Sequence, residues 1–318
     1  MGSMSINEDV NDYDVYFTDK KSVKMVADYY TKKFNQMKID RELEQTTRIG
    51  TCARAWVFDG EDLEAWKLGK KKLSDFAHGY ADYSYSDIRE WNNKDNAKYK
   101  TLSGMLLNTT KERVKIIINS DGVASENDDH LADSVDYNVT EFLDQMSDGV
   151  VDNNNDKPQN EDFRPVYLSS NAITLSNDVQ LIIRFYGDDD EIHNNFDYIH
   201  ATNYWTYKKG VVLNMDAMES LMPKELIYRG SKYPIASIVR ARKFIKRGWN
   251  INAGQFLKMS FQISELDLTD VYVLEEQLTG VDSLYFLEFI NIMKNDLEAG
   301  ATNIDASYVA QLVERIFE

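Results

Sequence analysis

Arg240, Arg242, Lys243, Lys246 and Arg247 sit close together in the stretch PIASIVRARKFIKRGW, which runs from Pro234 to Trp249. Pro234 suits a helix start and Gly248 a helix stop. At about 100° per residue, Ile238, Ala241, Phe244 and Ile245 share one arc, and the five cations fill the opposite one. A positive face followed by Trp249 carries the chemistry of single-stranded nucleic-acid binding: cations neutralise phosphates and an aromatic ring stacks on a base. A solvated helix face, or one neutralised by the protein's own acids, leaves the same pattern. The apolar arc is too small to hold such a helix on a membrane.

The second chemical candidate is Asp188-Asp189-Asp190, which follows Tyr186-Gly187 at the end of an apolar strand. Paired aspartates at a strand turn can hold two divalent metals for phosphoryl transfer. The run resembles the Gly-Asp-Asp motif of RNA-dependent polymerases over these residues alone. The spacing to other acids does not continue the pattern, and a solvated hairpin turn explains the residues more simply. Asp152, Asn154 and Asp156 begin like a calcium loop. Lys157 then stands where glycine is needed, and Phe163 where a bidentate glutamate is needed. His193 and His200 have no third ligand in view, and the other histidines, His78 and His130, lie far away. Neither a GxxxxGK[ST] nor a GxGxxG loop occurs, nor an HExxH or a serine elbow. No catalytic, cofactor or metal residues are therefore assigned.

Charge is unevenly spread. Residues 119–162 hold 13 of the 53 acidic residues and one base, Lys157, a net charge of −12 out of the chain's −17. The remaining chain is close to balanced, so the acidity does not exclude polyanion partners. Asp148 to Asp162 has linker composition, for which disorder is the expectation. Before it, Thr140 can cap a short helix bearing Phe142, Leu143 and Met146, an apolar triplet among acids suited to folding on a partner. A small helix packed on its own domain is the alternative. The acidic stretch could also fold back on the basic helix and compete with nucleic acid there, an effect that salt would weaken.

These candidates need elements to position them. Thr18 or Asp19 caps an expected helix with Val23, Val26, Ala27, Tyr30, Phe34 and Met37 on one stripe. Thr51 to Phe58 reads as a strand ending at Asp59-Gly60, with Cys52 a buried thiol. Asp62 to Phe76 reads as a helix, and Val114 to Ile118 as a strand. Further strands are expected at Val166–Leu168, Ala172–Leu175, Val179–Tyr186, Asn203–Tyr207 and Val211–Leu213, with turns at Ser176-Asn177-Asp178 and Lys208-Lys209-Gly210. Leu257, Met259, Phe261 and Ile263 alternate with polar residues and predict a half-buried strand. Helices over 269–278, 282–299 and 305–317 complete the chain.

The expected fold is α+β, antiparallel in the second half and helical at the C-terminal end. Its expected divisions are an N-terminal region (1–118), an acidic insert (119–162) and a β-rich then helical region (163–318). With 43% hydrophobic residues the chain can bury a core. It has no apolar run long enough to span a membrane and no signal-peptide pattern, and Met1-Gly2-Ser3 reads as a cloning remnant. One cysteine excludes an intrachain disulfide and fits a reducing, cytoplasmic compartment. Abundant Asn, Asp, Lys, Ile and Tyr suit an AT-rich genome of the phage or viral kind. The expected function is a non-enzymatic interaction or assembly protein, its partners other proteins or a second copy of itself. A single-stranded nucleic-acid binder and a metal-dependent phosphoryl-transfer enzyme are the alternatives.

Overall fold

The computed structural model describes residues 13–45, 55–76, 113–118, 123–125, 163–169 and 171–268, with positions 84, 86, 273, 277, 307, 308 and 311. The fold is α+β, as expected. The described residues divide into two compact units, one drawn from 11–137 and 151–192, the other from 193 onward. The boundary expected at 162/163 thus falls inside the first unit, because the strands that follow it pair with the beginning of the chain.

In the first unit, β1 (Tyr13–Phe17) leads into α1 (Lys20–Gln45). Asp19 caps that helix, accepting from the Ser22 amide at 2.9 Å. Val23, Ala27 and Phe34 are buried on the expected stripe. The next strand, β2 (Ala55–Asp59), pairs antiparallel with β3 (Val114–Ile118). A five-stranded sheet follows from β4 (Val123–Ser125), β5 (Pro165–Ser169), β6 (Ala172–Leu175) and β7 (Val179–Tyr186), in the order β1-β7-β6-β5-β4. All its pairings are antiparallel except β1 with β7. The β6–β7 hairpin turns at Asn177 and Asp178, both at positive φ, a conformation these two residue types tolerate. Alternate residues of β5 to β7 (Leu168, Ile173, Leu175, Leu181 and Ile183) meet Val23, Ala27 and Phe34 of α1 in one core.

The helix expected over 62–76 is shorter: α2 spans Gly60–Lys67, and a 3-10 turn covers Leu73–Asp75. Gly69 at φ +67° ends it, a left-handed position that continues no α-helix. Of the expectations for the first half of the chain, residues 51–54 with Cys52, and Phe142, Leu143 and Met146, lie outside the described residues. So does the acidic segment apart from β4.

The chain then forms α3 (Asp189–His193), a 3-10 turn (Ile199–Thr202), β8 (Tyr204–Thr206) and β9 (Gly210–Val212). Next come α4 (Met215–Leu221), α5 (Pro234–Lys246) and α6 (Ala253–Ser264). The alternating stretch around Met259 is therefore helical, not a strand. Asn252 caps it by accepting from the Gln255 amide, and Gln255 and Met259, four residues apart, are the buried pair. Leu257 and Phe261 sit on the opposite, exposed side. Period-two spacing over so few residues fits either element, and the cap decided. Of the last three expected helices, only positions 273, 277, 307, 308 and 311 are described, and each is helical.

Candidate functional site

Tyr204-Trp205-Thr206 and Gly210-Val211-Val212 form a tight hairpin in which Trp205 and Val211 are cross-strand partners. Gly210 takes φ +66°, and Thr206 Oγ1 accepts from the Lys209 amide at 3.0 Å, closing the turn. Cross-strand partners project to one side, and Leu213, two residues beyond Val211, continues that side. All three are exposed: Trp205 at 58%, Val211 at 55% and Leu213 at 51%. Tyr207 at the tip is 92% exposed, and Met215, which opens α4, is 70% exposed. The tip also carries Lys208 and Lys209, both exposed.

The base of the hairpin is fixed by polar groups. Asn203 Oδ1 accepts from the Asn214 amide at 2.7 Å, and Asn214 Nδ2 donates to Thr202 Oγ1 at 3.0 Å. Asn214 also caps α4 through the Asp216 amide at 3.0 Å. Tyr204 turns the other way, its ring 4.8 Å from that of His193. The exposed face is thus presented on a held backbone, with little of it free to fold inward. Contiguous apolar surface of this kind marks interaction sites in soluble proteins, and Trp and Tyr are the residues that most often dominate binding energy.

The basic helix forms as expected, with Gly248 at φ +81° just beyond it. Arg240 and Trp249 are engaged inside the unit rather than on an open cationic face. Arg240 pairs with the carboxylate of buried Asp197, anchoring the helix to the segment before the 3-10 turn. Trp249 is only 9% exposed, its ring 4.5 Å from His200 and 5.6 Å from Phe244. A side chain so enclosed offers no free ring for a base. Arg242, Lys246 and Arg247 face solvent, and Lys243 is half-buried. The buried side of the helix runs through Ala236, Ser237 and Ala241, while Ile238 and Ile245 of the expected apolar arc are exposed.

Around Trp249 lies an aromatic cage of Tyr198, His200, Phe244 and Trp249. Tyr198 donates its hydroxyl proton to the Ser237 carbonyl at 2.6 Å. Burial raises the Tyr198 phenol above its ordinary range and pushes that of Tyr228 up to about 12. Burial holds His200 down to about 4, so its imidazole is neutral near pH 7, and Nδ1 has no hydrogen-bond partner among the described residues.

Paired carboxylates do occur in the first unit, where the sequence did not single them out. Asp59 and Asp62 are both buried at the start of α2. Asp59 accepts from the Glu61 and Asp62 amides, each at 3.0 Å, in a capping box. Lys24 lies 3.0 Å from Asp59 and 3.1 Å from Asp62, and Lys71 is 3.0 Å from Asp62. Burial opposes ionisation of Asp59, yet the Asp62 amide and Lys24 outweigh it and hold the carboxyl below its usual range. With amides and lysines on their oxygens, these acids clasp α1 to α2 rather than await a metal. Asp188 likewise serves as a cap: its Oδ1 accepts from the Glu191 amide at 2.9 Å, while Glu191 Oε2 accepts from the Asp188 amide at 3.0 Å. The run expected to be a hairpin turn is the start of α3. Among the described residues no group of His, Cys, Asp and Glu could hold a metal, and no helix is long and apolar enough to cross a membrane.

The hairpin face, too, went unrecognised in the sequence. Its signal was available: apolar residues at 204, 205, 207, 211, 212 and 213 leave a two-stranded hairpin no polar side.

Fold and site describe an α+β protein in which, among the described residues, a braced hairpin presents an exposed apolar face and the paired carboxylates are engaged in structure. The chain belongs to the Gabija anti-defense 2 family, whose model matches residues 1–224. That span includes the hairpin and α4 and stops before the basic helix. No curated protein and no solved structure matches the chain. An anti-defence family agrees with the phage or viral origin to which the composition points.

Proposed function

We propose that the chain antagonises the Gabija defence by binding one of its protein components through the hairpin face, with Trp205 and Tyr207 as anchors and Val211, Leu213 and Met215 around them. The observation that carries this reading is a set of large exposed apolar side chains on and beside a braced hairpin, inside the residues that match the family. Exposing such a surface to water brings the monomer no stability, whereas covering it on a partner recovers about 1.5–3 kcal/mol per fully buried large apolar side chain. Lys208 and Lys209 at the tip favour an acidic rim on that partner. Neither catalysis nor a cofactor enters the mechanism: occupation of the partner's surface is sufficient.

The test is phage infection of cells that carry the Gabija defence and express the chain. The unaltered chain restores infection. Trp205→Ala with Tyr207→Ala abolishes that effect without lowering the melting temperature, since neither side chain supports the core. A double variant that still restores infection in full would remove the hairpin from the mechanism.

A further inference from the structure

A second surface in the same unit carries different chemistry. The loop Arg229-Gly230-Ser231-Lys232 edges an open depression of about 270 Å³. Among the described residues the lining includes two cations and no carboxylate, in a chain with 53 acidic residues against 36 basic ones. Such a local reversal of sign focuses anions. Asn194 adds an amide to the rim and Phe196 an aromatic flank.

The loop is held from several directions. Gln262 of α6 accepts from the Ser231 amide at 3.2 Å and from the Tyr228 hydroxyl, while its Nε2 donates to the Ser231 carbonyl at 3.4 Å. The Arg229 amide donates to the Asp197 carbonyl at 2.8 Å, and the Tyr233 amide to Ser231 Oγ at 2.9 Å. At the far end Gln277 Nε2 donates to the Lys232 carbonyl at 3.0 Å. Gly230 takes φ +115°, a conformation closed to other residues without strain, which lets the chain turn with both cations on the same rim. The Arg229 guanidinium donates through Nη1 to the His193 carbonyl at 3.1 Å, which orients the fork, and among the described residues its remaining N–H groups are left for a ligand. Arg229 and Lys232 are exposed, so a ligand reaches them without any opening of the fold.

We propose that this depression binds the phosphoryl group of a small phosphate ester, with the Arg229 fork and the Lys232 ammonium on its oxygens and Phe196 against the organic part. Guanidinium pairs bidentately with phosphate, and a lysine beside it adds a point charge. A depression of this size matches the phosphate end of a ligand of about mononucleotide size. The proposal is independent of the hairpin reading.

Calorimetric titration of the full chain with inorganic phosphate, with adenosine 5′-monophosphate and with a single-stranded oligonucleotide tests it. Saturable binding of the monophosphate is expected, weakened roughly tenfold or more by Arg229→Gln and by Gly230→Ala. Arg242→Gln, an equal charge loss on α5, leaves it unchanged. Lack of binding by both phosphate probes overturns the proposal, as does equal weakening by Arg242→Gln, which would mean diffuse attraction. An oligonucleotide that binds through Arg229 more tightly than the monophosphate overturns it in favour of nucleic acid. A phosphate site that fails while the hairpin variants still lose antagonism leaves the proposed function standing.

Discussion

Trp205 and Trp249 belong to the same unit, yet one lies open on a hairpin and the other is shut inside an aromatic cage. Polar hardware makes the difference. Around Trp205 the asparagines at 203 and 214 stiffen the backbone and hold the ring away from any core. Around Trp249 the ion pair between Arg240 and Asp197 and the hydrogen bond from Tyr198 to Ser237 pull α5 down over the ring. The same residue type is thus an exposed face in one place and scaffold in the other. Substitutions should separate stability from binding accordingly.

The largest stability effect is expected at the cage. Trp249→Ala should cost about 3–5 kcal/mol, seen as a fall in the denaturant midpoint. A change no larger than that of a surface substitution would mean the cage is not a core. Acidification comes next. His200 has a folded pKa of about 4, below its ordinary 6.5, so the unfolded chain binds its proton first. Its contribution is complete above about pH 6.5, declines as pH falls towards 4, and amounts to at most about 3 kcal/mol. Replacing it with Phe should flatten that part of the pH–stability curve, and an unchanged curve would assign the acid sensitivity elsewhere. Arg240→Ala strands a buried carboxylate on Asp197, and with Arg240 partly exposed the expected loss is about 1–3 kcal/mol. Adding Asp197→Ala should recover part of it, whereas a further loss would show that the pair was not the cause. The smallest stability effect is at the hairpin: Trp205→Ala should stay within about 0.5 kcal/mol. A larger loss would make Trp205 a support rather than a contact.

Local signals were readable where chain chemistry alone decides structure. Asp19 ahead of the Val23, Ala27 and Phe34 stripe specified α1, and the Asn177-Asp178 turn specified the β6–β7 hairpin. Signals failed where distant partners decide. Trp249 looked like a stacking residue because nothing local reveals that His200 and Phe244 enclose it. The alternation around Met259 looked like a strand because Asn252 and the hydrogen bond from the Tyr228 amide to Gln255, which favour the helix, lie outside the pattern. The pairing of β1 with β7 joins residues far apart in sequence, and parallel pairing leaves no turn signal to read. In the sequence Asp59 and Asp62 mark only a turn and a helix start, because a capping box looks like any acidic turn until the lysines of α1 and the loop after α2 are placed beside it.

The central claim is that the open aromatic face binds and the closed one supports. Affinity of the full chain for the purified Gabija proteins, compared with that of its Trp205→Ala and Val211→Asp variants, tests it most directly. The account predicts binding by the unaltered chain and a loss of roughly thirtyfold or more in each variant, a hot-spot-sized effect of about 2 kcal/mol, at an unchanged melting temperature. Undiminished affinity in both variants would contradict it.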